Sequence, residues 1–224
     1  LARSKYVLSF GADFLGTWNS PVSQSIGYGR MRQGHPGQRA KLVQFEPRIS
    51  LTGANADEWV AVQPGAEGAL ALSLSHVILR DKLRPGDAAK RQGSLIEGWS
   101  DGLRSYSPEA IEAHHGIPAP VITRLAHEAA ANGPAVAVIG DAATSQTNGL
   151  FNALAVNALN ALLGNIGNPG GIQFSPQWNP QNAKAGSHSA SGQSLLPVQT
   201  LASRIVSGAF TPRALFVYNA NPVF

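Results

Sequence analysis

Cysteine is absent from the 224 residues. That excludes disulfides, thiolate nucleophiles, cysteine-ligated zinc and cysteine-bound iron–sulfur clusters within this chain; it leaves the redox compartment open. Charge is scarce as well: 13% of residues are Asp, Glu, Lys or Arg, against roughly 25% in a typical soluble domain. No apolar run reaches the roughly 18 residues of a membrane-spanning helix, and the first residues carry no signal-peptide pattern. Methionine occurs once, at Met31. The chain opens on Leu1-Ala2-Arg3 and closes on Asn221-Pro222-Val223-Phe224, directly after an apolar run. Sparse charge and abrupt ends lead to the expectation of a piece of a larger polypeptide, packed on its neighbours.

What is plentiful is glycine, with 24 residues, and proline, with 15. Turns must therefore be frequent. The 17 Lys and Arg against 13 acidic residues leave a net charge of +4. Basic residues gather at Arg30, Arg32, Arg39 and Lys41, and again at Arg80, Lys82, Arg84, Lys90 and Arg91. Each group reads either as a solvated loop or as a contact for an anionic ligand or partner. Aromatics are not interleaved with them, so no nucleic-acid partner is expected.

Short β-prone runs alternate with helical patterns, which points to an α/β layered fold. Strands are predicted at Tyr6–Phe10, Lys41–Phe45, Glu58–Val62, Ala135–Ile139 and Ala214–Tyr218. Helices are predicted over Ala66–Leu83, Pro108–His115, Val121–Ala131 and Asn148–Leu163. Ser107 with Pro108 is a start signal for the second of these, and Gly116 its stop. The last is apolar around much of its circumference, which marks a buried helix. Residues 165–194, rich in Asn, Gln, Gly, Ser and Pro, show no period and read as one long loop.

The strand ends are the informative places. In open parallel sheets, ligands bind outside the carboxyl ends of the strands, where glycine lets backbone amides approach closely. Here those ends read Gly11-Ala12-Asp13, Glu46-Pro47-Arg48, Pro64-Gly65-Ala66-Glu67, Gly140-Asp141 and Asn219-Ala220-Asn221. Small and acidic residues can hold ribose hydroxyls or base edges, and Arg48 can pair with a phosphate. The same residue types also favour plain turns. Gly27-Tyr28-Gly29-Arg30-Met31-Arg32 lacks the third glycine of a dinucleotide fingerprint and follows no strand, so it is rejected as one. His114 and His115 read as helix-end residues, His76 and His127 as structural groups, and Trp18, Trp59 and Trp99 as core or interface. His188 lies among serines with no nucleophile elbow around it. No catalytic residue and no metal ligand is assigned.

Larger blocks surround these ends: Gly11-Ala12-Asp13-Phe14-Leu15 with Trp18; Glu46-Pro47-Arg48, Ala56-Asp57-Glu58-Trp59 and Pro64-Gly65-Ala66-Glu67-Gly68-Ala69-Leu70; and Asn157 through Gly171, with Asn219-Ala220-Asn221-Pro222 at the end. In this order they resemble the middle portion of the large subunit of molybdopterin oxidoreductases of the dimethyl sulfoxide reductase family. The resemblance implies Rossmann-like layered lobes with mostly parallel sheets, one over 1–134 and a second, incomplete, over 135–224. It implies cofactor contacts at Gly11, Ala12, Asp13, Glu46, Arg48, Gly65, Glu67, Gly140 and Asp141 if bis(molybdopterin guanine dinucleotide) is retained. Glu46 departs from the family's Asp-Pro-Arg, and its longer carboxylate would weaken a bond to the guanosine ribose.

The wording of the blocks is most similar to the fused molybdopterin-like and iron–sulfur subunit of alternative complex III and related quinone-linked subunits. That implies a scaffold without cofactor, in a respiratory complex that oxidises quinol. It would sit on the periplasmic side of a membrane with iron–sulfur, cytochrome c and quinol-binding membrane subunits as partners, its clusters lying outside this segment. The alternative implied is the cofactor-binding region of an active molybdenum oxidoreductase, of the polysulfide, thiosulfate or tetrathionate reductase kind.

Overall fold

The computed structural model describes residues 1–33, 39–174 and 196–214, and gives only the backbone of residues 86, 87, 90, 141 and 196–199. Strands β1 (Tyr6–Phe10), β2 (Lys41–Glu46), β3 (Glu58–Ala61) and β4 (Ala135–Ile139) form one sheet in the order β3-β2-β1-β4, every neighbouring pair parallel. The fold is thus α/β with a parallel sheet, as the alternating pattern predicts. Ala214–Tyr218 lies almost wholly outside the described residues. Ala135, where the sequence blocks imply that a second lobe starts, begins β4 and pairs with Tyr6 of β1. The compact units of the chain are Leu1–Ser175 and Pro176–Phe224.

Every residue of β1 is buried, as a central strand flanked on both faces requires. The strand period of two then sorts its side chains. Tyr6, Leu8 and Phe10 join Val43 and Phe45 of β2 in the larger core, where the Phe10 and Phe45 rings stack 4.7 Å apart. That core is completed by α3 (Glu67–Arg80), α6 (Ala119–Ala131) and α8 (Gly149–Leu162). Val7, Leu42 and Val136 point the other way, into a smaller cluster with Phe14 and Met31. Met31 belongs to α1 (Pro21–Arg32), which covers the second face.

Helix α1 was not legible in the sequence. Gly27 and Gly29 lie inside it and lower its intrinsic propensity, and Met31 is its one buried side chain. The rejected glycine motif is thus the last half of a helix. The remaining differences are shifts of a few residues: β3 stops at Ala61, α3 spans Glu67–Arg80, and α6 begins at Ala119, after Pro118. Short helices α2 (Leu51–Ala54), α4 (Lys90–Ser94) and α7 (Asp141–Thr144) fill connections, and α5 (Pro108–His115) has the predicted Ser107 cap on Ala110 N at 3.3 Å. The described start of the predicted long loop folds back on itself, with Ile172 N donating to Asn165 O at 3.0 Å. Trp18, Trp59 and Trp99 are half-buried, and His76 Nδ1 lies 2.6 Å from Gly102 O. In the second unit α9 (Leu196–Val206) ends beside Phe210, whose ring lies 5.6 Å from the Arg204 guanidinium.

The amino-terminal edge of the sheet is fastened by charge. Glu128 of α6 accepts from Tyr6 Oη at 2.8 Å, Lys41 Nζ at 2.6 Å and Arg124 at 2.8 Å, while Glu58 takes Lys41 at 3.0 Å and also Arg124. Partial burial pushes the Glu128 carboxyl up, but Lys41, Arg124 and Tyr6 outweigh it and hold it at about 2. Stability from this group is therefore complete above the unfolded value of 4.5 and lost as pH falls toward 2. Glu128→Gln should cost about 1–2 kcal/mol in urea denaturation at pH 7. The difference from wild type should shrink steadily below pH 4.5; a constant difference would refute the assignment.

Candidate functional site

The carboxyl ends of the strands carry loops of which three hold buried or half-buried acids. After β1, which ends at Phe10, the chain turns at Gly11, whose N donates to Phe45 O at 2.8 Å. Asp13 follows, half-buried. Its Oδ1 accepts from Thr52 N at 3.1 Å and Thr52 Oγ1 at 2.8 Å, and its Oδ2 from Thr17 Oγ1 at 3.2 Å. Burial raises the Asp13 carboxyl, but the bonds from Thr52 and Thr17 prevail and hold it below its ordinary value. Asp13 thus ties the first loop to α2.

Glu46 closes β2 on the α1 face of the sheet, where the apolar cluster gives way to Ser9 and Gln44. It is 4% exposed. Its Oε1 accepts from Ser50 N at 2.7 Å and Trp59 Nε1 at 3.2 Å, and its Oε2 from Gln44 Nε2 at 2.9 Å. A buried carboxylate needs such partners, because an unpaired one is strongly disfavoured. The pocket also depends on glycine: a Cβ on Gly53 would collide with Glu46 Oε1 and lie 3.0 Å from Trp59 Cδ1. The additional methylene of Glu thus turns inward and holds the β2–α2 turn. Arg48, two residues on, is exposed and forms no ion pair among the described residues.

Glu67, first residue of α3, is fully buried. Its Oε2 accepts from Gly65 N at 2.8 Å and Asn152 Nδ2 at 3.4 Å, and its Oε1 has no partner among the described residues. Asn152 Oδ1 accepts from Gly68 N at 3.1 Å while its Nδ2 donates to Ala143 O at 2.8 Å. Asn148 Nδ2 adds a bond to Gly65 O at 2.8 Å. Asn148, the residue before α8, and Asn152, four residues on within it, therefore stitch the third loop to the loop after β4. Sequence reasoning read them only as positions in an apolar helix; Asn at two facing positions of a buried helix is the signal that was available. Burial pushes the Glu67 carboxyl up, beyond what the Gly65 amide and its own backbone amide bring down.

The order β3-β2-β1-β4 puts the topological switch point between β1 and β4, where a ligand crevice is expected. Here the two loops meet directly. Gly140 N donates to Phe10 O at 3.0 Å, and a Cβ on Gly140 would lie 2.5 Å from Ala12 Cα. Ala12 and Ala143 are fully buried. Asp141 opens α7, a single turn.

The structure thus brings Gly11, Ala12, Gly140 and the start of α7 together at one point. Asp13 and Glu46 meet across α2, and Gly65 joins Glu67. Arg48 stands apart at the surface. A pterin dinucleotide would need accessible carboxylates for its sugar hydroxyls, and the committed, enclosed carboxylates of Glu46 and Glu67 do not fit that role.

Four parallel strands in the order β3-β2-β1-β4 with helices on both faces define a doubly wound α/β class of fold. The chain belongs to the molybdopterin oxidoreductase family, whose model matches residues 1–224. It is 29% identical to the menaquinone reductase molybdopterin-binding-like subunit of Nitratidesulfovibrio vulgaris, over all of this chain and 31% of that protein. It is 30% identical to the thiosulfate reductase molybdopterin-containing subunit PhsA of Salmonella typhimurium, over 83% of this chain and 24% of that protein. The chain therefore spans less than a third of either relative's length. Acetylene hydratase from Pelobacter acetylenicus shares the fold, with a TM-score of 0.58 over 73% of this chain and 22% of the hydratase, at 23% identity. The family resemblance read from the sequence blocks holds.

Because burial raises Glu67, its stability contribution is complete at low pH and lost as pH rises through its folded value. Glu67→Gln should match wild type near pH 4.5 and become the more stable protein as pH rises, the gap widening by at most about 1.4 kcal/mol per pH unit. Thermal melts across that range check this. A Gln variant that is less stable at alkaline pH would show that the carboxylate is charged in the folded protein.

Proposed function

We propose that this chain is part of a quinone-linked oxidoreductase complex in which a molybdopterin-oxidoreductase lobe acts as scaffold, without holding the pterin dinucleotide itself. The observation that carries this reading is the commitment of Glu46 and Glu67. Each is enclosed, and each spends its carboxylate on the chain's own amides and side chains. A relative that matches this chain end to end is named a molybdopterin-binding-like subunit of a menaquinone reductase, which agrees with a quinone-linked role. We place the chain in a complex of the alternative complex III type, on the periplasmic side of a membrane. Its partners there are iron–sulfur, cytochrome c and quinol-binding membrane subunits, and the clusters lie outside this segment.

A second reading has one observation in its favour. Arg48 keeps an exposed guanidinium without an ion pair among the described residues, and a guanidinium suits a pyrophosphate oxygen. With the similarity to a molybdopterin-containing thiosulfate reductase subunit, it supports a dinucleotide-binding region of an active molybdenum reductase. In that case the bound cofactor would supply the redox chemistry, and Arg48 would hold its pyrophosphate.

Elemental analysis of the purified complex separates the two. The scaffold reading expects molybdenum and tungsten at background beside an intact iron signal. One molybdenum or tungsten per subunit, lost on Arg48→Ala, would overturn it in favour of the second.

A further inference from the structure

The amino-terminal edge of the sheet, opposite the loops described above, carries a separate concavity of about 360 Å3. It is lined by residues 2–5 and by Arg30, Met31 and Gln33. Arg3, Lys5 and Arg30 bring three positive charges to it, and its lining contains no acid. None of the three forms an ion pair among the described residues. Asp57, which pairs with the neighbouring Arg32, is also taken by Arg39 at 3.0 Å.

Like charges around one concavity repel, so the fold must hold them there. Ser4, 4% exposed, donates its hydroxyl to Gly170 O at 2.7 Å. Lys5 N donates to Pro134 O at 2.8 Å, and Lys5 O accepts from Lys41 N at 3.0 Å. Ser4 is thus held inward, while Arg3 and Lys5 on either side of it are exposed. On the other wall Met31, also 4% exposed, anchors the last turn of α1 in the smaller core and fixes Arg30. The dipole of α1 favours a cation at Arg30, but it does not account for Arg3 or Lys5.

We propose that this pocket binds a phosphate group. Two guanidiniums can each grip two phosphate oxygens, and the lysine adds a point charge. The site lies at the opposite edge from the strand-end loops and is independent of whether those loops hold a cofactor. A free phosphate and a phospholipid headgroup present the same chemistry, so both are probed.

The test uses the complete subunit and two variants of equal charge. One combines Arg3→Gln, Lys5→Gln and Arg30→Gln; the control combines Lys82→Gln, Arg91→Gln and Arg104→Gln, away from the pocket. Calorimetric titration with inorganic phosphate is set beside flotation with phosphatidylcholine vesicles, with and without phosphatidylglycerol. We expect binding to at least one probe, weakened about tenfold or more in the pocket variant, retained in the control, and falling with salt. Binding to phosphate alone assigns a free anion, and phosphatidylglycerol-dependent flotation alone assigns a headgroup; both support the site. No binding of either probe, or equal loss in the two variants, overturns it.

Discussion

The carboxylate of Glu46, enclosed at the end of β2, is the interaction on which the arrangement of the strand-end loops depends. Buried polar oxygens need donors, and the chain supplies them from Ser50, Trp59 and Gln44. Ser50 in turn caps the Gly53 amide at 3.1 Å, so α2 is held in place. From α2 the side chain and amide of Thr52 reach Asp13 in the loop after β1. One buried acid thereby fixes the relation of two strand ends. Glu67 with Asn152 does the same for the third loop and the loop after β4.

This division of labour follows from the sheet itself. With β1 buried on both faces, the charged groups gather at the ends of the strands. At the amino-terminal edge these are full charges in mutual contact: Lys41, Glu58, Arg124 and Glu128. At the carboxyl edge they are carboxylates that accept mainly from amides, hydroxyls and an indole. The first arrangement fastens α6 to the strand starts, and the second ties the strand-end loops to one another.

Much of this was legible in the sequence. Tyr6–Phe10, Lys41–Glu46 and Ala135–Ile139 are short apolar runs stopped by Gly or Pro, and strong local signals of that kind survive tertiary packing. Helix α1 was not legible, because it buries one side chain and contains two glycines. The loop positions lie at the strand ends where they were sought, yet the partners of their carboxylates were not legible. Whether Glu46 and Glu67 face a ligand or the protein depends on partners far along the chain, Trp59 and Asn152. No local pattern contains that distance. Asn148 and Asn152, legible in the sequence only as positions of an apolar helix, connect it to two loops.

The central claim is that these carboxylates hold the chain's own loops. Amide hydrogen exchange at Ser50, Thr52 and Gly65 tests it most directly, since these amides donate to Glu46, Asp13 and Glu67 at 2.7, 3.1 and 2.8 Å. The account predicts that all three are protected in the protein without added nucleotide. Exchange at the rate of an open loop, with protection gained only on adding a guanine nucleotide, would contradict it.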